Sequence, residues 1–97
     1  MKFTVSKEAA QWFIDEMDLE QGDYVQFFVK IYGGIPTAHP NYFLGISVGK
    51  EKDILIQDEV NGVTFYFTSQ DAWFLEEYEM EVVGDTSEVK YIFNKIK

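Results

Sequence analysis

Near the start of the chain, apolar residues recur at the i, i+3, i+4 and i+7 spacing of one helix face. The four residues on this stripe are Ala10, Phe13, Ile14 and Met17. Ser6 stands just before the stripe and is a favoured N-cap residue, so the pattern predicts a helix over residues 7–18. Trp12 lies off the centre of the stripe, and we expect its ring at the edge of the buried face. The alternative is an exposed anchor for a partner.

Farther along, apolar and polar residues alternate with the period of two that is typical of strands. The segments that fit are residues 24–32, 42–48, 54–60 and 63–68. The predicted inner face of the first segment carries Val25, Phe27, Val29 and Ile31. Asn61-Gly62 separates the last two segments and predicts an antiparallel hairpin. Gly45 interrupts the second segment, which indicates a bulge or a close approach of another group to the backbone.

The segment after the hairpin predicts a second helix, from Gln70 to about Tyr78. Thr68 or Ser69 is its expected cap. The side chains predicted to face inward are Ala72, Leu75 and Tyr78, with Phe74 as a further candidate.

Two extended segments end the chain, residues 80–83 and 88–96, with a turn at Gly84-Asp85 between them. The predicted order is therefore α-β-β-β-β-α-β-β. Strand hairpins outnumber long crossovers, so we expect an α+β fold, mostly β, with antiparallel or mixed curled sheets and two flanking helices. A chain of this length predicts a single domain over residues 1–97.

With 46% hydrophobic and 18% aromatic residues, the chain has enough apolar side chains to form a core without disulfide bonds or a structural metal. All eight basic residues are Lys, and they face 17 acidic ones, for a formal net charge of −9. Nucleic acids and anionic membrane surfaces would be repelled, which excludes both as partners. The lack of cysteine excludes disulfides and cysteine catalysis. A charged amphipathic start, with no long apolar run anywhere, predicts a cytoplasmic protein.

One short segment matches the consensus sequence of a catalytic motif. Gly45-Ile46-Ser47-Val48-Gly49 matches the G-x-S-x-G nucleophile elbow of α/β hydrolases. An elbow needs a strand-to-helix turn and a His after the Ser, whereas here a charged turn and a strand are predicted to follow and the only His precedes Ser47. We interpret the match as coincidence.

His39 is the only imidazole, and it lies in the irregular loop that begins at Gly33-Gly34. Three roles are open for it: a surface or turn residue, a polar binding contact, or a metal ligand with carboxylates as the other ligands. A single His does not make a structural zinc site.

Two groups of acidic residues are expected to be solvated, with docking of a basic partner patch as the alternative. They are Asp15, Glu16, Asp18, Glu20 and Asp23, and Glu76, Glu77, Glu79 and Glu81. Several tyrosines are expected mainly in the core or on the sheets, with an aromatic pocket as the alternative. They are Tyr24, Tyr32, Tyr42, Tyr66 and Tyr78.

Three sequence segments, by their order and spacing, resemble the HesB-like family of A-type iron–sulfur cluster carriers, in its short, cysteine-lacking bacterial subgroup. The first runs from Thr4 to Ala10 and looks like that family's helix entry. The second runs from Phe28 to Gly34 and looks like the strand and glycine turn before its first ligand. The third runs from Val60 to Thr68 and continues into residues 71–75.

The resemblance implies curled, barrel-like sheets with flanking helices, and a role in holding or passing iron or a cluster through three cysteines. Around Gly34-Ile35, where the first cysteine would stand, this chain has none, and no Cys-Gly-Cys occurs before Lys97. One His cannot replace three thiolate ligands, so no cofactor is expected.

These observations favour a non-enzymatic accessory protein that acts by binding a protein partner, connected with iron–sulfur cluster biogenesis. The predicted contact loop includes Gly33, Gly34, His39 and Tyr42, because loops carry binding function more often than strands. Two alternatives stay open: weak binding of iron or another divalent metal through His39 and carboxylates, and binding of a small molecule in an aromatic pocket.

Overall fold

The computed structural model describes residues 1–85 and 87–96, which fold into two sheets and two α-helices. The elements are β1 Phe3–Val5, α1 Lys7–Met17, β2 Tyr24–Lys30, β3 Ile35–Pro36, β4 Phe43–Val48, β5 Ile54–Val60, β6 Val63–Thr68, a 3-10 turn Ser69–Asp71, α2 Ala72–Glu77, β7 Tyr78–Gly84 and β8 Val89–Lys95. The predicted α+β class, mostly β with two helices, is confirmed. Neither helix in this part of the chain has the length and apolar character needed to cross a bilayer.

Both sheets are mixed. The larger has the order β3-β4-β2-β6-β5, and the smaller has the order β1-β7-β8. Parallel pairing joins β2 to β6 and β1 to β7, and the other neighbours are antiparallel. The predicted hairpin of β5 and β6 is confirmed, and it turns through Asn61 and Gly62, whose φ angles are 54° and 82°.

Helix α1 forms where the apolar stripe predicts it. The Ser6 side chain accepts a hydrogen bond from the Ala9 N–H at 3.1 Å, as expected of an N-cap. Ala9, Ala10 and Phe13 are buried, while Trp12 is half-buried with its ring edge-on to Phe13 at 5.2 Å. Trp12 therefore lies at the edge of the buried face, as predicted.

Strand β2 is shorter than predicted, and the expected inward position of Ile31 is wrong. Its pairing with β4 stops at Lys30 opposite Phe43, after which the chain bends toward Gly33. Ile31 thus lies outside the sheet and is 63% exposed. The apolar and polar alternation of the sequence extends past Lys30 to Ile31. A side chain keeps its place on the inner face only while the strand itself continues, however, and β2 has ended.

The second helix also differs from its prediction. The chain first makes a 3-10 turn, and α2 then covers only six residues, so Tyr78 begins β7 instead of ending the helix. Neither Thr68 nor Ser69 caps α2, which makes the predicted cap wrong. Strands β1 and β3 were not predicted, because strands of three and two residues are too short to show periodicity.

The core is a set of aromatic rings that joins the two sheets. Phe27 of β2 is fully buried at its centre, and its ring lies within 6.4 Å, centroid to centroid, of five others. These partners are Phe3, Phe13, Phe65, Phe67 and Tyr91. Because the five rings come from β1, α1, β6 and β8, this cluster holds the elements of both sheets together.

Strand β6 is buried on both faces because the loop after β4 folds over its outer side. The Tyr66 hydroxyl donates to the Gly49 carbonyl at 2.6 Å and accepts from the Glu51 N–H at 2.8 Å. Burial raises the pKa of Tyr66 above its ordinary value, and the protonated hydroxyl is the donor in the bond to Gly49 that holds this loop.

Candidate functional site

The predicted contact loop begins with two glycines in backbone conformations that favour glycine. Gly33 has a φ of 62° and Gly34 a φ of 123°. A Cβ on Gly34 would lie 2.6 Å from the Leu44 carbonyl oxygen, whereas one on Gly33 would meet no atom within 4 Å. Gly34 therefore lets the chain approach β4 closely enough for β3 to pair with it.

Hydrogen bonds within the loop fix its shape. The Thr37 hydroxyl donates to the Tyr42 carbonyl at 2.8 Å and accepts from the His39 N–H at 3.1 Å. The Tyr42 N–H in turn donates to the His39 carbonyl at 3.3 Å. The loop is thus ordered by its own backbone and by one threonine.

His39 and Tyr42 lie together, and the structure adds Trp73 to them. The ring centroids of His39 and Tyr42 are 4.6 Å apart, and those of Tyr42 and Trp73 are 5.0 Å apart. Tyr78 closes the group at 6.5 Å from His39. Packing among these rings holds the loop against α2 and β7. Sequence reasoning missed Trp73, since no local pattern connects positions 39 and 73.

The surroundings of His39 do not resemble a metal site. Its Nδ1 accepts a hydrogen bond from the Asn41 N–H at 3.2 Å, and aromatic rings fill the space around the imidazole. Within residues 1–85 and 87–96, no three His, Cys, Asp or Glu side chains come together as metal ligands would. Of the three roles considered for His39, a packed loop residue fits this geometry.

Two apolar side chains at the start of the loop point to solvent. Tyr32 is 86% exposed and Ile31 is 63% exposed. Tyrosine is enriched at protein interfaces, so this exposed pair beside an ordered loop is a candidate contact surface. We call residues 31–42 the tip loop.

Four of the five tyrosines considered for an aromatic pocket do not come together to form one. Tyr66 is fully buried under the loop after β4, while Tyr32 projects into solvent. Tyr42 and Tyr78 pack on His39, whose ring occupies the space beside them. These four tyrosines therefore do not line one shared cavity.

The hydrolase-like motif is not an elbow. Residues 45–48 belong to β4, and after Gly49 the chain passes through a loop into β5 instead of a helix. Ser47 is an exposed residue on this strand, paired in register with Gln26 of β2. This geometry agrees with the interpretation of the motif as coincidence.

An acidic groove of about 400 Å³ lies between the outer face of α1 and the turn after β7. Trp12 lines it with Glu8, Gln11, Asp15, Glu16, Asp85 and Ser87. The carboxylate of Asp85 accepts hydrogen bonds from the N–H groups of Ser87 and Glu88, which lower the pKa of Asp85. Asp85 therefore keeps its charge to a lower pH than an ordinary aspartate does.

Asp71 is a second feature, and its burial and its contact with β2 were not predicted from the sequence. It is only 7% exposed, and its Oδ2 accepts a hydrogen bond from the Val29 N–H at 3.3 Å. This bond replaces a strand partner, because the pairing of β2 with β6 ends at Gln26 and Tyr66. Burial raises the pKa of Asp71, since the buried carboxylate loses hydration.

The burial of Asp71 predicts a pH-dependent stability. Because its pKa is higher in the folded than in the unfolded chain, proton uptake stabilises the fold as pH falls through the raised value. Asp71→Asn is therefore expected to be at least as stable as wild type at neutral pH. Asp71→Ala leaves the Val29 N–H without its acceptor and should lose about 1–3 kcal/mol.

Urea unfolding of wild type and both variants at several pH values measures these differences. The advantage of Asp71→Asn should shrink as pH falls through the raised pKa of Asp71 toward the ordinary value of an aspartate, about 4, and should stay constant below it. A constant difference between wild type and Asp71→Asn across pH would contradict the assigned effect of burial.

No sequence-family model matches the chain, but individual proteins do. A Bacillus subtilis protein named pyruvate dehydrogenase inhibitor is 32% identical over 82 residues, which are 84% of this chain and 85% of the relative. The chain belongs to the family of this inhibitor. An uncharacterized Staphylococcus saprophyticus protein is also similar, at 30% identity over 96 residues, 94% of this chain and 97% of the relative.

A solved structure supports the predicted fold. The crystal structure of Escherichia coli SufA, described as involved in biosynthesis of iron–sulfur clusters, aligns with a TM-score of 0.59 over 98% of this chain and 86% of SufA. The identity is 17%, so the likeness is one of fold. The prediction of a HesB-like fold is confirmed, while the family shown by sequence is that of the pyruvate dehydrogenase inhibitor.

Proposed function

We propose that this chain is a non-enzymatic protein that binds and inhibits a pyruvate dehydrogenase. The observation that carries the proposal is the 32% identity, over most of both chains, with the Bacillus subtilis protein of that name. Two features of the chain support it. No cysteine is present to hold a cluster, and the tip loop offers exposed apolar side chains for a protein partner.

The tip loop is the proposed contact surface. Tyr32 and Ile31 provide exposed apolar area, and tyrosine is a frequent hot-spot residue. The bonds of Thr37 and the packing of Tyr42 on Trp73 order the neighbouring backbone before binding. A preordered surface loses less conformational entropy on association than a mobile one.

Replacing Tyr32 tests this surface together with the function. We expect wild type to inhibit pyruvate-dependent NADH formation by the Bacillus subtilis pyruvate dehydrogenase. Tyr32→Ser should need a more than about tenfold higher concentration for half-inhibition, because a central hot-spot side chain contributes 2 kcal/mol or more. Its free energy of unfolding should change by less than about 0.5 kcal/mol, since Tyr32 is exposed.

Ile92→Ser on β8 is the matched control, because Ile92 is another exposed apolar residue, at 39%. It should inhibit as wild type does. Lack of inhibition by the wild-type chain would overturn the proposed function. Full inhibition by Tyr32→Ser would be compatible with the proposed function but would show that the tip loop is not the contact surface.

A second candidate is an accessory role in iron–sulfur cluster biogenesis, supported by the likeness of fold to SufA. It also requires a protein partner, because the chain has no cysteines to carry a cluster. Co-purification with cluster-assembly proteins, together with absence of inhibition in the enzyme assay, would favour it. Anaerobic calorimetry with Fe²⁺, Zn²⁺ and Mn²⁺ tests the remaining alternative, that the chain binds a metal. Absence of binding heat at sub-millimolar metal would rule it out.

A further inference from the structure

A groove opens where the parallel strands β2 and β6 separate. Their pairing ends at Gln26 and Tyr66, and the chain after β6 turns away into the 3-10 turn. This groove has a volume of about 520 Å³, and side chains from four segments line it. Besides the aliphatic Val29 and Ile46, the lining consists of Gln26, Phe28, Ser47, Glu51, Gln70 and Asp71.

Asp71 presents a buried acceptor to this groove. Its Oδ2 accepts from the Val29 N–H, while its Oδ1 accepts no hydrogen bond from residues 1–85 or 87–96. Across the same residues, every fully buried side-chain oxygen and nitrogen has a partner. The Oδ1 atom is therefore not fully buried, and Asp71 is one of the residues that line the groove.

The other polar groups in the groove are also unengaged. The side chains of Gln26, Ser47 and Gln70, and the carboxylate of Glu51, make no hydrogen bond to the described part of the chain. The two carboxylates, Glu51 and Asp71, give the groove two negative charges, and no lysine lines it. Lys50 and Lys52 line the neighbouring groove, which shares Glu51 and Gln70 with this one. A cation with hydrogen-bond donors would satisfy the acceptors of Asp71 and Glu51.

We propose that this groove binds a small organic ammonium compound. Asp71 Oδ1 and the Glu51 carboxylate accept from the ammonium group, and Gln26 and Ser47 bond to polar groups beside it. The Phe28 ring covers Gly45 and lines the groove, where it offers an apolar and cation–π surface. This inference goes beyond the proposed inhibition, which uses the tip loop.

Burial of Asp71 gives the proposed site a pH signature. A carboxylate that has lost hydration gains more from a neighbouring cation than a solvated one does. Burial raises the pKa of Asp71, and a bound ammonium group would lower it again. Binding therefore competes with a proton, so affinity should rise with pH up to the range where Asp71 is fully ionised.

Titration of the isolated chain, followed by backbone amide NMR shifts, tests the proposal. The ammonium probes are spermidine and lysine, and glycerol is the neutral probe. We expect saturable shifts at the amides of Val29, Ser47 and Gln70 with an ammonium probe, and none with glycerol. Asp71→Asn and, separately, Glu51→Gln should weaken the binding more than about tenfold, because each removes one charge from the site.

Asp58→Asn is the matched control. Asp58 Oδ2 also accepts a backbone N–H, that of Val5 at 2.8 Å, and this variant removes one charge from a residue that does not line the groove. It should bind the ammonium probe as wild type does. Absence of saturable shifts at these amides, equal weakening by Asp58→Asn and Asp71→Asn, or comparable binding of glycerol would each overturn the proposal. None of these outcomes bears on enzyme inhibition.

Discussion

Replacing Phe27 by Ala is expected to lower the free energy of unfolding by about 3–5 kcal/mol. Phe27 is fully buried, and its ring contacts five others drawn from both sheets and from α1. The surrounding rings are held by separate backbone elements and cannot all move inward, so most of the cavity should remain. Urea denaturation at neutral pH, followed by far-ultraviolet circular dichroism, measures the loss.

Ile31→Ala is the control for Phe27→Ala. It also tests whether Ile31 is buried, as the sequence pattern predicts, or exposed, as in the structure. The alternation of β2 assigns Ile31 to the same face as Phe27, yet Ile31 is 63% exposed. Its truncation should therefore cost less than about 0.5 kcal/mol. Losses of similar size for Phe27→Ala and Ile31→Ala would mean that β2 continues inward past Lys30, contrary to the structure.

Replacing Gly34 by Ala is expected to disrupt the start of the tip loop. A non-glycine residue at a φ of 123° is strained by about 1–3 kcal/mol, and the added Cβ would also meet the Leu44 carbonyl oxygen at 2.6 Å. The contact is with backbone, so a side-chain rotation cannot relieve it. Separation of β3 from β4 is the expected response, and it would shift the backbone that carries Tyr32.

Gly33→Ala provides the matched comparison for Gly34→Ala. Its φ of 62° lies in the left-handed helical region, and a Cβ there meets no atom within 4 Å. The expected cost is about 1–2 kcal/mol, from backbone strain alone. Denaturant unfolding and amide shifts of residues 35–44 distinguish the two variants. Equal stability and equal spectra would show that the close approach to Leu44 does not constrain the loop.

Elements with a long local pattern were predicted well. The N-cap at Ser6 and the helix after it follow from side chains within a few residues of one another, as does the turn at Asn61 and Gly62. Gly45 is a further case, since a glycine within a strand indicates a close contact, and a Cβ at this position would clash with the Phe28 ring. The sequence identifies the tight position but not the ring that occupies it.

The candidate site was predicted only in part. Gly33, Gly34, His39 and Tyr42 were selected because they share an irregular loop, and the structure places His39 against Tyr42. Trp73 and Asp71, the partners that connect β2 and the loop to the region of α2, are more than 30 positions away in sequence, and no local pattern connects them to their partners. Contacts between such distant positions depend on how the elements pack, which local periodicity does not record.

The sequence by itself determined the fold class, the acidic character and the absence of any thiolate ligand, because these depend on residue type and local spacing. The tertiary structure decided where strands end, as at Lys30, and which polar groups become buried, as at Asp71. It also left Tyr32 and Ile31 exposed beside an ordered loop. Burial and strand pairing are cooperative properties of the whole packed chain, so they emerge only when distant segments meet.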